Sequence, residues 1–152
     1  MCLQRVVIVR QPMDINIVNK YSNWIDPPTS IYDALSDEEI MYLWRMVESE
    51  TCGCSFEARV HVADVVFNRL EDEAWPNTIK EVITQSNQFC YTKTQISEET
   101  KLAVEYAYMF PDETQSALSF HSNKKTDTFG GYVFLFNDGY HNFYGHQLRG
   151  GE

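Results

Sequence analysis

The stretch Ser36-Asp37-Glu38-Glu39-Ile40-Met41-Tyr42-Leu43-Trp44-Arg45-Met46-Val47-Glu48-Ser49-Glu50-Thr51-Cys52-Gly53-Cys54-Ser55 decides the fold. Ser36 followed three residues later by Glu39 is a capping box, and Asp37, Glu38 and Glu39 load the first turn with the charge a helix start favours. Ile40, Leu43, Trp44 and Val47 recur at i, i+3, i+4 and i+7, so one face turns inward and the helix runs to Thr51. Cys52-Gly53-Cys54 breaks it. Ser55 caps a second helix over about 56–70, whose stripe is Ala58, Val62, Val65, Val66 and Leu70.

Downstream, Pro76 precedes a shorter amphipathic piece with Ile79, Val82 and Ile83. Ser97 with Glu98 and Glu99 opens a helix through Leu102, Ala103, Tyr106 and Met109 that Pro111 stops. The period then changes. Ala117–Phe120, Tyr132–Phe136 and Tyr140–Tyr144 read as short strands, the last two joined by Asn137-Asp138-Gly139, residues that tolerate positive φ. The expectation is an α+β fold, mainly helical, with a small antiparallel sheet in the carboxyl third. Upstream, Arg5 to Arg10 can alternate as a strand and Asp26-Pro27-Pro28-Thr29-Ser30 punctuates the chain. Residues 1–35 are therefore expected as an arm, 36–146 as the main domain and 147–152 as a frayed end.

The 152 residues suit one domain. A net charge of -10 argues against a grip on nucleic-acid phosphates. Nine Tyr, nine Phe and three Trp are a surplus of rings, good platforms for flat or sugar-like ligands. The apolar run Val6 to Val9 is too short for a membrane span or a signal h-region. Four cysteines, Cys2, Cys52, Cys54 and Cys90, read as free thiols, because Cys52 and Cys54 are too close to close a stabilising loop. A metal at Cys52-Gly53-Cys54 would need two more ligands, so no metal and no cofactor are expected. The chain is expected to be a monomer.

Helices followed by a small sheet, with an acidic residue at the end of a helix that abuts it, is the lysozyme-like arrangement. Glu48 and Glu50 both lie in the last helical turn and point roughly 160° apart, flanking the apolar stripe. Glu48 shares its side with Trp44 and Glu50 with Met46, so spacing leaves the choice open. A glutamate against apolar neighbours holds its proton near neutrality, as a general acid for glycosidic oxygen must. The plain alternative for either is a solvated carboxylate.

Glu50-Thr51-Cys52-Gly53 followed by Ser55-Phe56-Glu57-Ala58-Arg59-Val60-His61-Val62-Ala63-Asp64-Val65-Val66-Phe67-Asn68-Arg69 resembles the signature of the SleB/CwlJ-like cell wall hydrolases, the spore cortex-lytic family. Trp75-Pro76-Asn77-Thr78-Ile79-Lys80-Glu81-Val82-Ile83, Gln88-Phe89, Ala117-Leu118-Ser119-Phe120-His121 and Gly139-Tyr140-His141-Asn142-Phe143-Tyr144 resemble its later segments in the same order. The resemblance implies a lysozyme-like enzyme acting on bacterial peptidoglycan glycan strands. Carried over by position, Glu50 is the catalytic glutamate. The resemblance implies that it protonates the oxygen between N-acetylmuramic acid and N-acetylglucosamine, then serves as base toward the muramoyl 6-hydroxyl, giving a 1,6-anhydro product.

One carboxylate then suffices, and neither Asp64 nor Asp138 presents itself as a second. Ser49 and Thr51 stand where the family commonly has small apolar residues. Gln88 and Phe89 suit an acetamido group and a sugar face, and His121, His141 and Tyr144 are candidate substrate contacts, each equally open to an ordinary sheet role. Asn68 and Arg69 are expected to hold backbone carbonyls or a salt bridge. A hydrolytic muramidase and a non-catalytic wall-binding or virion module are the alternatives, and Cys90 is the one nucleophile an amidase or peptidase could use. A wall substrate without an export segment points to a phage-type lysin or to accessory export.

Overall fold

The computed structural model describes residues 30–85 and 88–147. Five helices come first: α1 (Ile31–Ala34), α2 (Asp37–Thr51), α3 (Phe56–Glu71), α4 (Ile79–Thr84) and α5 (Glu98–Met109). Four strands follow: β1 (Ser119–His121), β2 (Thr128–Phe129), β3 (Tyr132–Asn137) and β4 (Asn142–Gly145). Each helix starts on a Ser or Thr whose hydroxyl accepts an early backbone N–H, and Ser36 and Glu39 complete the expected capping box. The mainly helical α+β fold expected from the periodicity is the fold found.

Helix α3 is the centre of the helical layer, packed most extensively against α5 and also against α2 and α4. Leu43, Met46 and Val47 of α2 meet Val62, Val66 and Phe67 of α3, Ile79, Val82 and Ile83 of α4, and Ala103, Val104 and Ala107 of α5 in one core. Burying each large aliphatic contributes about 1.5–3 kcal/mol, so no single short helix needs strong propensity of its own. Ile31 and Leu35 are buried in that core too, so the last residues of the stretch read as an arm are packed. The strand expected at Arg5–Arg10 and the end at 148–152 lie outside the described residues.

The sheet is antiparallel in the order β1-β4-β3-β2. Phe143 pairs with Phe120 on one side and with Phe136 on the other, and these rings face α3, where Val65, Ala117 and Phe143 form a second, smaller core. A register shift between Phe134 and Phe136 lets Leu135 pack over Gly145, where an added Cβ would sit 2.8 Å from Leu135 Cδ1. Strand β2 was not anticipated, being only two residues long. Its signal was Gly130-Gly131, both at positive φ as a tight hairpin turn requires.

Candidate active site

Glu50 sits at the end of α2 and is half-buried. Its Oε1 accepts the backbone N–H of Cys90 at 2.6 Å. Burial pushes the carboxyl above its ordinary value, and the Cys90 N–H only partly offsets that. The segment after Gln88 lies along the last turns of α2: Lys93 N–H donates to Ser49 Oγ at 3.0 Å, and Arg45 Nε to the Lys93 carbonyl at 3.3 Å. Phe89 in that segment lies under the Arg69 guanidinium, 4.4 Å from the ring centre, and stacks on Phe120 at 5.9 Å.

Phe120 in turn meets the His141 ring edge-on at 5.1 Å. His141 is 5% exposed, and its Nδ1 is buried with no hydrogen-bond partner among the described residues. Burial pulls its pKa down, opposed by Asp138 and by the backbone of Glu50, so the ring is neutral at pH 7. His141 and Glu50 are thus neighbours across the seam between helices and sheet. The hairpin carrying His141 is held by Asp138, whose Oδ1 accepts the N–H groups of Tyr140 and His141 at 2.9 and 2.8 Å. Its Oδ2 meets His61 Nδ1 of α3 at 2.9 Å.

Glu48, the other carboxylate of that turn, has a different environment. Arg59 Nη1 donates to its Oε2 at 2.7 Å, the Thr100 hydroxyl bonds the same oxygen, and Ser97 N–H reaches Oε1 at 3.3 Å. Burial alone would raise its pKa, but Thr100, Ser97 and Arg59 outweigh it and hold the carboxyl below its ordinary value. Through these bonds Glu48 ties α2 to α3 and α5. Two residues apart on one turn, Glu48 is held below the ordinary carboxylate value by its polar partners and Glu50 is raised above it by burial.

Of the other candidates, Gln88 is exposed at the start of the loop, and Phe89 is half-buried between Arg69 and Phe120. His121 and Tyr144 are not brought to Glu50. Strand alternation puts them on the sheet face opposite Phe120 and Phe143, where His121 stacks on Tyr144 at 5.0 Å. Tyr144 is fully buried and its hydroxyl bonds Thr126 N–H at 3.1 Å, so its expected role as a substrate contact is corrected: no ring face is left for a sugar. Asn68 and Arg69 hold the carbonyls of Ala117 and Leu118, as expected. His61 and the clamp on Asp138 were not read from sequence. Nothing in periodicity marks a helix histidine that meets a turn aspartate 77 positions later.

Among the described residues no three His, Cys, Asp or Glu side chains gather where they could hold a metal ion, and no helix is long and apolar enough to cross a membrane. Comparison with known proteins gives the family and the fold. Residues 53–144 match the family described as Cell Wall Hydrolase, a segment that begins three residues after Glu50. The chain belongs to the cell wall hydrolase family. It is 28% identical over 113 residues to a spore cortex-lytic enzyme of Halalkalibacterium halodurans, covering 74% of this chain and 31% of that protein. The chain thus spans about a third of the length of that curated relative.

Among solved structures, the catalytic domain of the Bacillus cereus SleB protein superposes with a TM-score of 0.66 at 25% identity, covering 78% of this chain and 98% of that one. The catalytic domain of the germination-specific lytic transglycosylase SleB from Bacillus anthracis gives 0.65 at 24% identity, covering 74% and 98%. This cell wall hydrolase therefore shares the fold of SleB catalytic domains.

Proposed function

We propose that this cell wall hydrolase cleaves the bond between N-acetylmuramic acid and N-acetylglucosamine as a lytic transglycosylase, with Glu50 as its acid and base. One observation carries the reading: the Glu50 carboxyl is raised by burial at the helix–sheet seam and has a single backbone partner, so it can give a proton and take one back. Protonated Glu50 donates to the glycosidic oxygen as the bond breaks. The resulting carboxylate then accepts the proton of the muramoyl 6-hydroxyl as that oxygen attacks the anomeric carbon.

The substrate supplies the nucleophile, so the second carboxylate of a two-acid glycosidase is not needed. Asp138 could not easily serve as one, because both its oxygens are held by His61 and by the hairpin N–H groups. The exposed Gln88 lies two residues before the Cys90 N–H that bonds Glu50, and its amide is suited to an N-acetyl group, whereas the Phe89 ring is taken up between Arg69 and Phe120. His141 lies behind them, buried against Phe120.

The test is digestion of purified peptidoglycan followed by mass spectrometry of the soluble fragments. Anhydromuramoyl ends, lost in Glu50→Gln, are the expected result. Reducing muramic acid ends would establish a hydrolytic muramidase instead. Retention on insoluble wall with no soluble fragments would establish a binding module.

A further inference from the structure

The turn that follows Glu50 carries two thiols for which the proposed chemistry has no use. Cys52 (φ −55°, ψ 123°) and Gly53 (φ +81°) occupy the two central positions of a type II turn closed by Cys54 N–H on the Thr51 carbonyl at 2.8 Å. Glycine is what lets the turn close, and it leaves one small residue between the cysteines. Cys52 is exposed and Cys54 half-buried, and both are free thiols.

Residues two apart span at most about 7 Å, and a turn shortens that, which brings the pair to the scale of the roughly 4.4–6.8 Å Cα separations that disulfides span. Cys52 is also close enough to bear on the Cys54 thiol, as Arg59 and Asp138 do. The third described thiol, Cys90, answers to different neighbours: Thr92, Glu50 and Ser49.

We propose that Cys52 and Cys54 form a thiol–disulfide exchange site for low-molecular-weight disulfides such as glutathione disulfide. The Cys52 thiolate attacks one sulfur of the small disulfide, forming a mixed disulfide and expelling one small thiolate. The Cys54 thiolate then attacks the Cys52 sulfur, forming the Cys52–Cys54 bond and expelling the second. The small disulfide is reduced to two thiols, the protein dithiol is oxidised, and the two protons pass to solvent or to the departing thiolates. A loop of one intervening residue restrains the unfolded chain little, so this bond adds almost no stability and is readily reduced again. Exposed Cys52 is the entry sulfur. Burial raises the Cys54 thiol, so the second step quickens as pH rises.

Trypsin gives the test, because the cysteines fall in separate peptides: 1–5 holds Cys2, 46–59 holds Cys52 and Cys54, and 81–93 holds Cys90. The protein is incubated with glutathione disulfide, the remaining thiols are alkylated, and the digest is weighed without reduction. The expected peptide 46–59 is lighter than the dithiol form by two hydrogens, with no adduct, and dithiothreitol restores it. Cys54→Ser should trap one glutathione on Cys52. Two adducts on 46–59, a cross-link from 46–59 to 81–93 or to 1–5, or an unmodified peptide in folded protein would each overturn the assignment. None of these readouts depends on wall cleavage or on Glu50.

Discussion

The backbone N–H of Cys90 donates to Oε1 of Glu50 at 2.6 Å, so the position of the loop after Gln88 and the acidity of Glu50 are one variable. The bond favours the carboxylate and opposes the upward push of burial. Cys90→Pro, which has no N–H to give, should move the alkaline limb of the activity profile to higher pH and lower the maximal rate about tenfold. Cys90→Ser retains the N–H and should leave the limb where it is. Initial rates of peptidoglycan lysis across pH check both variants.

Glu50 also leaves a signature on stability, with the sign set by its raised carboxyl. The folded protein holds that proton more tightly than the unfolded chain. The penalty is therefore absent below the ordinary carboxylate value, grows as pH rises from there, and is complete above the raised folded value. Glu50→Gln removes it. The variant should melt at a higher temperature than the parent at neutral pH, and the two curves should converge in acid, while lysis falls by at least about a hundredfold. Thermal melts as a function of pH decide the first half and turbidity of a wall suspension the second.

Much of this was legible in the chain. Ser36-Asp37-Glu38-Glu39, Ser55 and Ser97 placed the helix starts, because a cap satisfies backbone donors that nothing else nearby can, and such local needs leave local marks. The choice between Glu48 and Glu50 was not legible from spacing. It depends on Arg59 and Thr100, which reach Glu48 from two other helices. Tyr144 misled for a related reason: alternation says which face a strand residue takes, but only the packed sheet shows that Phe129, Phe134 and His121 cover the ring. The two-residue strand β2 is too short for a period, and Gly130-Gly131 was its one mark.

Glu48 should behave in the opposite way to Glu50. Glu48→Ala leaves the buried Arg59 with only Thr100 and the more distant Glu99, and should cost about 3 kcal/mol. Glu48→Gln, which keeps the shape and part of the hydrogen bonding, should cost less. Chemical denaturation measures both. Any loss of lysis in these variants should follow the unfolded fraction, whereas Glu50→Gln should lose lysis while fully folded.

The clamp between His61 and Asp138 sets an acid limit on the fold. Burial alone would raise Asp138, but the His61 bond and the hairpin N–H groups of His141 and Tyr140 hold it below the ordinary carboxylate value. The stability this contributes is complete above the unfolded pKa and is lost as pH falls through the lowered folded one. His61→Ala removes one of the groups that lower it and should cost about 1–3 kcal/mol near neutrality. The acid-unfolding midpoint, followed by circular dichroism, should move to higher pH.

Arg69 is the last residue whose role reaches the site at a distance. Its guanidinium lies 3.8 Å from the centre of the Trp75 ring and 4.4 Å from that of Phe89, and its Nε donates to the Leu118 carbonyl at 2.7 Å. Burial pulls the group down to about 10, which leaves it charged at neutral pH. A flat cation can stack on two rings at once while its edge reaches a carbonyl, which a lysine ammonium cannot do. Arg69→Lys keeps the charge and should still cost about 2 kcal/mol, alter the emission of Trp75, and release Phe89. Because Phe89 adjoins the residue whose N–H holds Glu50, the fully folded variant should also show its alkaline limb displaced upward, in the same direction as Cys90→Pro. A limb that stays in place while the melting temperature falls would confine Arg69 to packing.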